Sequence, residues 1–259
     1  MNPQFKDVDR LKVFICPTRE AMGEYAAGIA VSEMKKMLLH KEELNVVFAA
    51  APSQNEFLAS LQREGGVEWN RINAFHMDEY VGLAVGQNGS FTRFLNDAVF
   101  DVLPFKNVYR LNGAASDAAQ ECERYADLLR AHPIDIVFMG VGENGHIAFN
   151  DPSVADFQDK AFVKTVKLDD VCRMQQVHDK CFDDIDHVPQ HAYTLTIPAL
   201  LSAKKILCIV PGKTKAPAIA RMLMGTIDET CPASILRRHD NAELFLDADS
   251  ARIWEEGGL

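Results

Sequence analysis

Long apolar runs are absent from this 259-residue sequence. No stretch approaches the ~20 consecutive apolar residues that cross a membrane, and the polar residues 1–10 contain no signal-peptide core. Positive charge is also scarce, since 27 Lys and Arg stand against 37 Asp and Glu, a net charge of -10. This balance gives no reason to expect nucleic acid or an anionic membrane as a partner. We therefore expect a soluble, cytoplasmic protein.

Paired cysteine motifs are missing as well. The six cysteines show no C-x-x-C spacing, and several fall in predicted strands or helices. We expect buried free thiols in a reducing cytoplasm rather than disulfides. No group of His and Cys residues has the spacing of zinc ligands, so we expect no metal site.

Apolar runs and helix-like patterns alternate along the chain, in a composition ordinary for a globular protein, 47% hydrophobic and 25% charged. The predicted strands are 11–15, 44–49, 72–77, 134–139, 193–197, 205–210 and 244–246. The predicted helices are 19–39, 55–63, 90–99, 117–131 and 216–224. The polar segment 152–188 resists assignment. Repeated alternation predicts a single α/β domain over residues 1–259, a doubly wound, mainly parallel, Rossmann-like sheet with helices on both faces.

The most informative segment is GVGENGHIAFNDP, residues 140–152, which follows a predicted buried strand. Gly140, Gly142 and Gly145 lack a Cβ, so the backbone can turn tightly and approach a ligand. They also satisfy the G-x-G-x-x-G pattern of dinucleotide sites, which requires a helix beginning at the glycines. Pro152 would break such a helix within two turns, which disfavours that interpretation. A purely structural turn remains an alternative, although His146 directly after the loop makes it less attractive.

Four loops with polar or glycine residues follow predicted strands, at the strand ends where open α/β sheets bind ligands. They are residues 50–53, 78–80, 140–151 and 211–215. Together they offer carboxylates, an imidazole, glycine amides and a lysine. Such a set suits proton abstraction next to a carbonyl on a phosphorylated small molecule.

Each of these residues also has a plainer interpretation. Asp78 and Glu79 could be a solvated pair or a helix cap, and His146 a hydrogen-bonded structural residue. Lys213 and Lys215 could simply be exposed. Lysine is disfavoured by the dipole at a helix N-terminus, so its presence there is easier to understand if the lysine and the helix amides both face an anion.

Two strings, MDEYVGL at 77–83 and the segment 140–152, closely resemble the glucosamine-6-phosphate deaminase/isomerase family. Weaker similarity spans most of the chain. The related phosphogluconolactonases share the fold but typically have Asp-Glu-Arg and Asp-Gly-His-Ala-Ser at these places. Tyr80 and residues 147–150 favour the deaminase side.

The resemblance implies a reaction of an amino-sugar 6-phosphate with water that yields a ketose 6-phosphate and ammonia, without a cofactor. Asp78 would be the base that moves a proton between C2 and C1 of the open-chain sugar. His146 would assist ring opening, oriented by Asp151, and Asn144 stands where members have Asp or Asn. Lys215 would hold the substrate phosphate. The full set of implied substrate-binding residues is Ala50, Ala51, Ser53, Glu79, Gly142, Gly145, Lys180 and Lys215.

The chain departs from the family pattern at several of these positions. The usual Gly-Gly-Thr-Pro loop is Ala-Ala-Pro-Ser at 50–53, which removes an amide donor and the threonine hydroxyl, with Ser53 as a replacement. Asp151 is shorter than the usual Glu. Lys180 stands where an arginine commonly grasps the phosphate, and lysine cannot form the same bidentate fork.

These departures leave the sugar undefined and keep other functions open. The alternative functions are a 6-phosphogluconolactonase, another sugar-phosphate isomerase, and a non-catalytic sugar-phosphate sensor. The sequence also leaves open whether the protein forms a homo-oligomer.

Some members of the family are activated by an acetylated amino-sugar phosphate bound between subunits by a basic cluster. Lys164 matches one member of that cluster, but Phe162 replaces an arginine, which predicts hyperbolic kinetics without such activation.

Overall fold

The computed structural model describes residues 3–258. Its strands are β1 (Gln4–Val8), β2 (Leu11–Cys16), β3 (Leu44–Phe48), β4 (Ile72–His76), β5 (Asp78–Tyr80), β6 (Asn107–Tyr109), β7 (Ile136–Met139), β8 (Val163–Lys167), β9 (His191–Leu195), β10 (Lys205–Val210) and β11 (Ala242–Asp247). Its α-helices are α1 (Arg19–Leu38), α2 (Asn55–Arg63), α3 (Phe91–Leu95), α4 (Ala118–Ala131), α5 (Asp170–His178), α6 (Ile197–Leu201), α7 (Ala216–Met224) and α8 (Ala248–Glu255). A π-helical turn, Asn96–Phe100, continues α3.

The main sheet has the strand order β1-β2-β11-β10-β7-β3-β4-β6. Strand β1 pairs antiparallel with β2, and every other pair in this sheet is parallel. The predicted α/β class and mainly parallel sheet are confirmed. Within residues 3–258, no helix is both long and apolar enough to cross a membrane.

Apolar side chains cover both faces of the main sheet. Neighbouring residues of one strand point to opposite faces, so Val47 joins one apolar cluster while Val46 and Phe48 join the other. Helix α1 begins where Thr18 caps it, accepting a hydrogen bond from the Ala21 backbone N–H. Because both faces are buried, the central strands are continuously apolar rather than alternating.

The chain reverses its direction of travel across the sheet between β3 and β7, which are neighbours. From β3 it proceeds outward through β4 to β6, and it then returns to place β7, β10 and β11 on the other side. Ligands of doubly wound sheets bind outside the carboxyl ends of the strands at such a switch point. The topology therefore brings the loops after β10, β7, β3 and β4 to one place.

Three details of the arrangement correct the sequence-based expectation or add to it. The predicted strand at 193–197 is β9, which lies outside the main sheet and pairs antiparallel with β5 and β8 in a second, three-stranded sheet. Strand β11 is not at an edge but lies between β2 and β10. The unassigned segment 152–188 contains β8 and α5, whose polar composition reflects their position over the edge of the main sheet.

Candidate active site

A small cavity of about 60 Å³ lies at the carboxyl ends of β10, β7, β3 and β4. Polar side chains of five chain segments reach it. Its lining residues include Ala50, Ala51, Ser53, Gln54, Asp78, Gly142, His146, Gln175, Gln176 and Lys215. Six of the predicted catalytic or binding residues besides Lys215 are thus in one place although they are spread from position 50 to 146 of the chain.

Asp78 lies at the first position of β5, directly after β4, and is 6% exposed. Its Oδ1 is buried and has no hydrogen-bond partner within residues 3–258. Burial raises the pKa of this carboxyl well above its usual range, and the neighbouring Glu79 adds to the effect. A buried carboxylate of raised pKa with an unpartnered oxygen is equipped to act as a base.

Glu79 faces away from the cavity, because consecutive residues of an extended strand point to opposite sides. Its Oε1 accepts from the backbone N–H groups of Tyr80 and Phe91, at 2.9 and 3.1 Å. Its Oε2 accepts from the Ser90 hydroxyl and the Thr92 N–H, at 2.9 and 2.8 Å. Both oxygens are thus occupied at the start of α3. The expectation that Glu79 contacts substrate is corrected: it anchors the β5–α3 junction.

His146, Asn144 and Asp151 form one hydrogen-bonded network beside the cavity. Nδ1 of His146 lies 2.9 Å from Asp151 Oδ1 and 2.8 Å from Asn144 Oδ1. The Asn144 amide donates to Asp151 Oδ1 at 2.9 Å. Burial opposes the charge of Asp151, but its hydrogen bonds from His146 and Asn144 leave its pKa lowered. Asp151 therefore reaches the imidazole despite being one methylene shorter than glutamate.

This network fixes the proton of the neutral imidazole. Both neighbours of Nδ1 are oxygen acceptors, so the hydrogen-bond pattern assigns the proton to Nδ1. Nε2 then carries a lone pair and can accept a proton. His146 lines the cavity, and the neutral ring is equipped there as a proton acceptor.

Gly142 and Gly145 have different structural roles in the loop after β7. A Cβ at Gly142 would lie 2.1 Å from the His146 ring, so glycine is required for the ring to pack on the loop. Gly145 has φ +92° and a Cβ there would lie 2.8 Å from Cys231 Sγ. Gly145 does not line the cavity, and its N–H is bonded to the Gly142 carbonyl. Its predicted place among the substrate-binding residues is corrected to a structural one.

The G-x-G-x-x-G pattern does not form a dinucleotide site. In the part of the chain that the structure describes, residues 140–152 form turns, and the next helix begins at Asp170. Ala148, which lines the cavity, has φ +48°, an uncommon conformation for a residue with a side chain. The Asn150 amide supports this turn by donating to the carbonyls of Ile147 and Leu195, both at 2.9 Å.

The loop after β3 is built on a short 3₁₀ turn, Pro52–Gln54, that leads into α2. The Gln54 amide donates to Ile209 O at 3.1 Å and to Ser53 Oγ at 3.2 Å. The loop is thereby tied to β10, and the Ser53 hydroxyl is held at the cavity. Gln54 was not predicted from the sequence, because a glutamine indicates neither a catalytic group nor a turn.

The two predicted phosphate-binding lysines are in different places. Lys215 is 6% exposed at the start of α7, and burial lowers the pKa of its ammonium although Asp179 and Glu143 oppose the shift. Lys180 is exposed, has φ +59° and lines a neighbouring open cleft rather than the cavity. Lys180 therefore lies outside the small cavity, and its contact with the substrate phosphate stays a prediction.

Helix α5 closes the cavity from the segment that the sequence left unassigned. Gln175 and Gln176 both line the cavity, and Gln175 Oε1 accepts from the Glu143 N–H at 2.9 Å. Another buried residue missed from the sequence is His76, at the end of β4. Its Nε2 accepts from the Leu111 N–H at 2.9 Å, so its Nδ1 donates to the Asp78 carbonyl, also at 2.9 Å. Burial lowers the pKa of His76 and favours this neutral form.

A family profile described as glucosamine-6-phosphate isomerases/6-phosphogluconolactonase matches residues 17–245. The chain belongs to this family. The match extends from the residues before α1 to β11 and so includes every segment that lines the cavity. The family that the two sequence strings resemble is thus confirmed.

Individual relatives agree with this assignment. The chain is 36% identical over 211 residues to a glucosamine-6-phosphate deaminase of Listeria monocytogenes, covering 82% of this chain and 88% of that protein. It is 33% identical over 246 residues to one of Bacillus thuringiensis, covering 95% and 90%. A solved structure of a monomeric glucosamine-6-phosphate deaminase is 30% identical with a TM-score of 0.86, covering 93% and 99%. A 6-phosphogluconolactonase of Thermotoga maritima, 21% identical with a TM-score of 0.75 over 91% and 98%, shares the fold.

Proposed function

We propose that this protein is an amino-sugar-6-phosphate deaminase and isomerase. It converts glucosamine 6-phosphate, or a close epimer such as galactosamine 6-phosphate, and water to a ketose 6-phosphate and ammonia. The observation that carries the proposal is the juxtaposition in one cavity of the buried Asp78, whose Oδ1 has no partner within residues 3–258, with the imidazole of His146. The relatives named as glucosamine-6-phosphate deaminases, similar over most of the chain, support the same conclusion.

The chemistry begins with ring opening. Nε2 of His146 takes the proton of the sugar O1 hydroxyl and returns it to the ring oxygen as the C1–O5 bond breaks. Asp151 and Asn144 hold the imidazole through Nδ1 and stabilise its transient positive charge. An orienting carboxylate of this kind fixes both the tautomer and the position of the ring.

Asp78 then acts on the open-chain sugar. Its carboxylate removes the proton from C2 while the aldehyde oxygen O1 takes a proton from the substrate ammonium, which gives an enol-amine, and it then delivers the C2 proton to C1. The resulting C2 iminium adds water and releases ammonia, leaving a ketone at C2. Atoms balance without a redox change, so no cofactor is needed. The raised pKa of Asp78 strengthens it as a base, and the hydrogen bond from His76 to its own carbonyl holds the main chain in place.

The substrate phosphate is assigned to the part of the cavity that Lys215 and Ser53 line. Lys215 supplies a buried positive charge there and Ser53 a hydroxyl. Binding of a phosphate would restore the charged state that burial disfavours in Lys215. Gln175 and Gln176 of α5 line the cavity, and their amide groups are the proposed contacts of the sugar hydroxyls.

The site is closed around a space smaller than a sugar phosphate. Its 60 Å³ is far below the ~300–1,000 Å³ typical of small-molecule sites. An open cleft of about 750 Å³ adjoins it and shares Ala50, Ala51 and Phe91 with its lining. We propose that substrate enters from this cleft as α5 moves away from the glycine loop, which breaks the hydrogen bond from the Glu143 N–H to Gln175.

A substrate panel tests the proposal. Purified protein is incubated with glucosamine 6-phosphate, galactosamine 6-phosphate and 6-phosphogluconolactone, and ammonia, ketose phosphate and released acid are measured. We expect ammonia and ketose phosphate in equal amounts from one amino sugar, and none from Asp78→Asn. Lactone hydrolysis without ammonia would replace the proposal by the lactonase alternative. Tight binding of a sugar phosphate without any turnover would indicate a sensor.

Two further properties belong to this proposal. The six cysteines are free thiols, four of them buried, which suits a reducing compartment and supports a cytoplasmic location. We propose that a single chain supplies all the side chains invoked above. The similar solved deaminase is described as monomeric.

A further inference from the structure

Three side chains that can bind a metal ion meet behind the cavity: His146, Asp151 and Cys172. One ligand atom of each lies within 4.8 Å of those of the other two. Their exposures are 8%, 0% and 1%, so the group is buried. The first two belong to the loop after β7, whereas Cys172 comes from the first turn of α5. The cluster therefore joins the glycine loop to the helix that covers the cavity.

The donor set is that of a transition-metal site. A thiolate, an imidazole and a carboxylate are ligands that Zn²⁺ prefers, and hard cations such as Mg²⁺ avoid thiolates. Asp151 Oδ2 is buried and has no hydrogen-bond partner within residues 3–258, so it retains the capacity to bind a cation. Asn144 Oδ1, 2.8 Å from His146 Nδ1, offers an oxygen as a fourth ligand atom at the same point. Movements of about 1 Å would bring these atoms to the ~2.0–2.3 Å bond lengths of zinc.

We propose that His146, Asp151 and Cys172 form an inhibitory binding site for a soft divalent cation such as Zn²⁺. Coordination forms bonds from the metal to Cys172 Sγ, to an Asp151 oxygen and to His146 Nδ1. The thiol proton leaves to solvent. The imidazole loses its Nδ1 proton and gains one at Nε2, so it stays neutral, and no electron is transferred.

Inhibition follows from the tautomer that the metal imposes. With Nδ1 bound to the ion, Nε2 carries the proton and becomes a donor instead of an acceptor. His146 can then no longer take the O1 proton in ring opening. The same ion cross-links α5 to the glycine loop and so holds the cavity closed. Binding itself does not depend on the proposed reaction, because all three ligands belong to the protein.

Cobalt provides a direct probe, since Co²⁺ bound to a thiolate absorbs in the near ultraviolet. Purified full-length protein is titrated with Co²⁺, and competition by Zn²⁺ gives the zinc affinity. We expect one equivalent of Co²⁺ with a thiolate band, displaced by Zn²⁺. Cys172→Ser should abolish the band and weaken Zn²⁺ binding by at least about tenfold. Cys172→Ala, which removes the ligand and keeps the site apolar, serves as the second variant.

Cys181→Ser is the matched control. Cys181 lies three residues after the end of α5 and is partly buried, but its Sγ is placed against the Asp179 carbonyl at 3.9 Å rather than in the cluster. This variant should keep the cobalt band. A wild-type protein without a thiolate band, or a band that survives in both Cys172 variants, would overturn the proposal.

The activity assay separates the two proposals. Zn²⁺ should inhibit ammonia release by the wild type, a chelator should restore it, and each variant is compared with its own metal-free rate. Cys172→Ser should need at least about tenfold more Zn²⁺ for the same fractional inhibition. A cobalt band in a protein that releases no ammonia from any amino sugar would remove the proposed function and keep the metal site. Turnover that is insensitive to Zn²⁺ despite the band would refute inhibition.

Discussion

At the scale of single residues, Asp78 combines deep burial with a carboxylate oxygen that has no hydrogen-bond partner among residues 3–258. Such a group costs stability, because its ionised form is poorly solvated inside the protein. This oxygen lies at the cavity, where a reacting carbon of the substrate can contact it instead of a hydrogen-bond partner. The same residue therefore should be unfavourable for stability and necessary for turnover.

Asp78→Asn tests both effects. We expect the rate of ammonia release to fall by about 10²–10⁴-fold or more, because the amide cannot remove a proton. The raised folded-state pKa means that ionising Asp78 costs stability as pH rises above its unfolded value of 3.8. Asn avoids that cost, so at neutral pH its free energy of unfolding should exceed that of the wild type. Thermal unfolding at pH 7 and turnover under the same conditions measure the two effects, and near-normal turnover would remove Asp78 from the mechanism.

The raised pKa of Asp78 also predicts the pH dependence of the reaction. The base is active only when ionised, so kcat/KM should fall as pH decreases through its raised pKa. The acid limb should therefore lie at higher pH than the 3.8 of an ordinary aspartate. A pH–rate profile between the limits of stability measures this directly. An acid limb at or below the ordinary value would contradict the burial argument.

His146→Gln tests the assignment to ring opening. Glutamine retains a polar side chain but cannot accept a proton as imidazole does. We expect a larger loss of turnover on the cyclic sugar than on an analogue fixed in the open form. Equal losses on both substrates would indicate a structural histidine or a direct role in deamination.

At the scale of secondary-structure elements, Glu79 fixes the start of α3. Its carboxylate accepts three backbone N–H groups and one hydroxyl. The helix N-terminus favours a negative charge, and hydrogen bonds to a charged group are worth more than neutral ones. This anchoring also holds β5, and with it the neighbouring Asp78, against β9.

Glu79→Gln should lower the free energy of unfolding by about 3 kcal/mol, since one amide group replaces an oxygen and faces donors. Ser90→Ala is the comparison. It removes one donor to Glu79 and the side-chain cap of α3, and should cost about 1 kcal/mol. Denaturant unfolding monitored by fluorescence gives both values. A Glu79→Gln variant as stable as the wild type would show that the carboxylate is not the anchor described.

At the scale of the whole molecule, residues 162–164, which match the basic cluster of the regulated family members, already make local contacts. Lys164 donates to the Val154 carbonyl at 2.8 Å and pairs with Asp159 at 2.9 Å. The Arg130 guanidinium lies over the Phe162 ring, 5.4 Å from its centre. A phosphate arriving here would meet one lysine that is already paired and a phenylalanine without donors.

We therefore predict hyperbolic substrate kinetics and no activation by the acetylated amino-sugar phosphate. Initial rates over a wide range of substrate concentration, with and without that compound, measure this. The control is sedimentation of the same samples, which gives the oligomeric state. A sigmoidal curve that becomes hyperbolic on adding the acetylated compound would prove the prediction wrong.

The sequence by itself determined the α/β class, most of the elements of the main sheet and the segments that carry the chemistry. Periodicity and capping are local properties, so α1, α2, α4 and the buried parallel strands could be predicted from neighbouring residues alone. The strand-end positions of Asp78 and His146 followed for the same reason. Short or polar elements such as β1, β6 and α5 could not, because their stability comes from the surfaces they pack on.

Tertiary structure decided how these residues are used. Glu79 and Asp78 are adjacent in sequence, yet pairing of β5 with β9 turns one to α3 and the other to the cavity. Cys172 reaches Asp151 across 20 intervening residues because α5 folds back over the sheet edge, a placement that no spacing rule contains. The fold likewise decides the place of Lys180, which follows α5 and lines the open cleft instead of the cavity. Local patterns specify which side chains are present at a strand end, but only the packing of distant segments fixes which of them share a site.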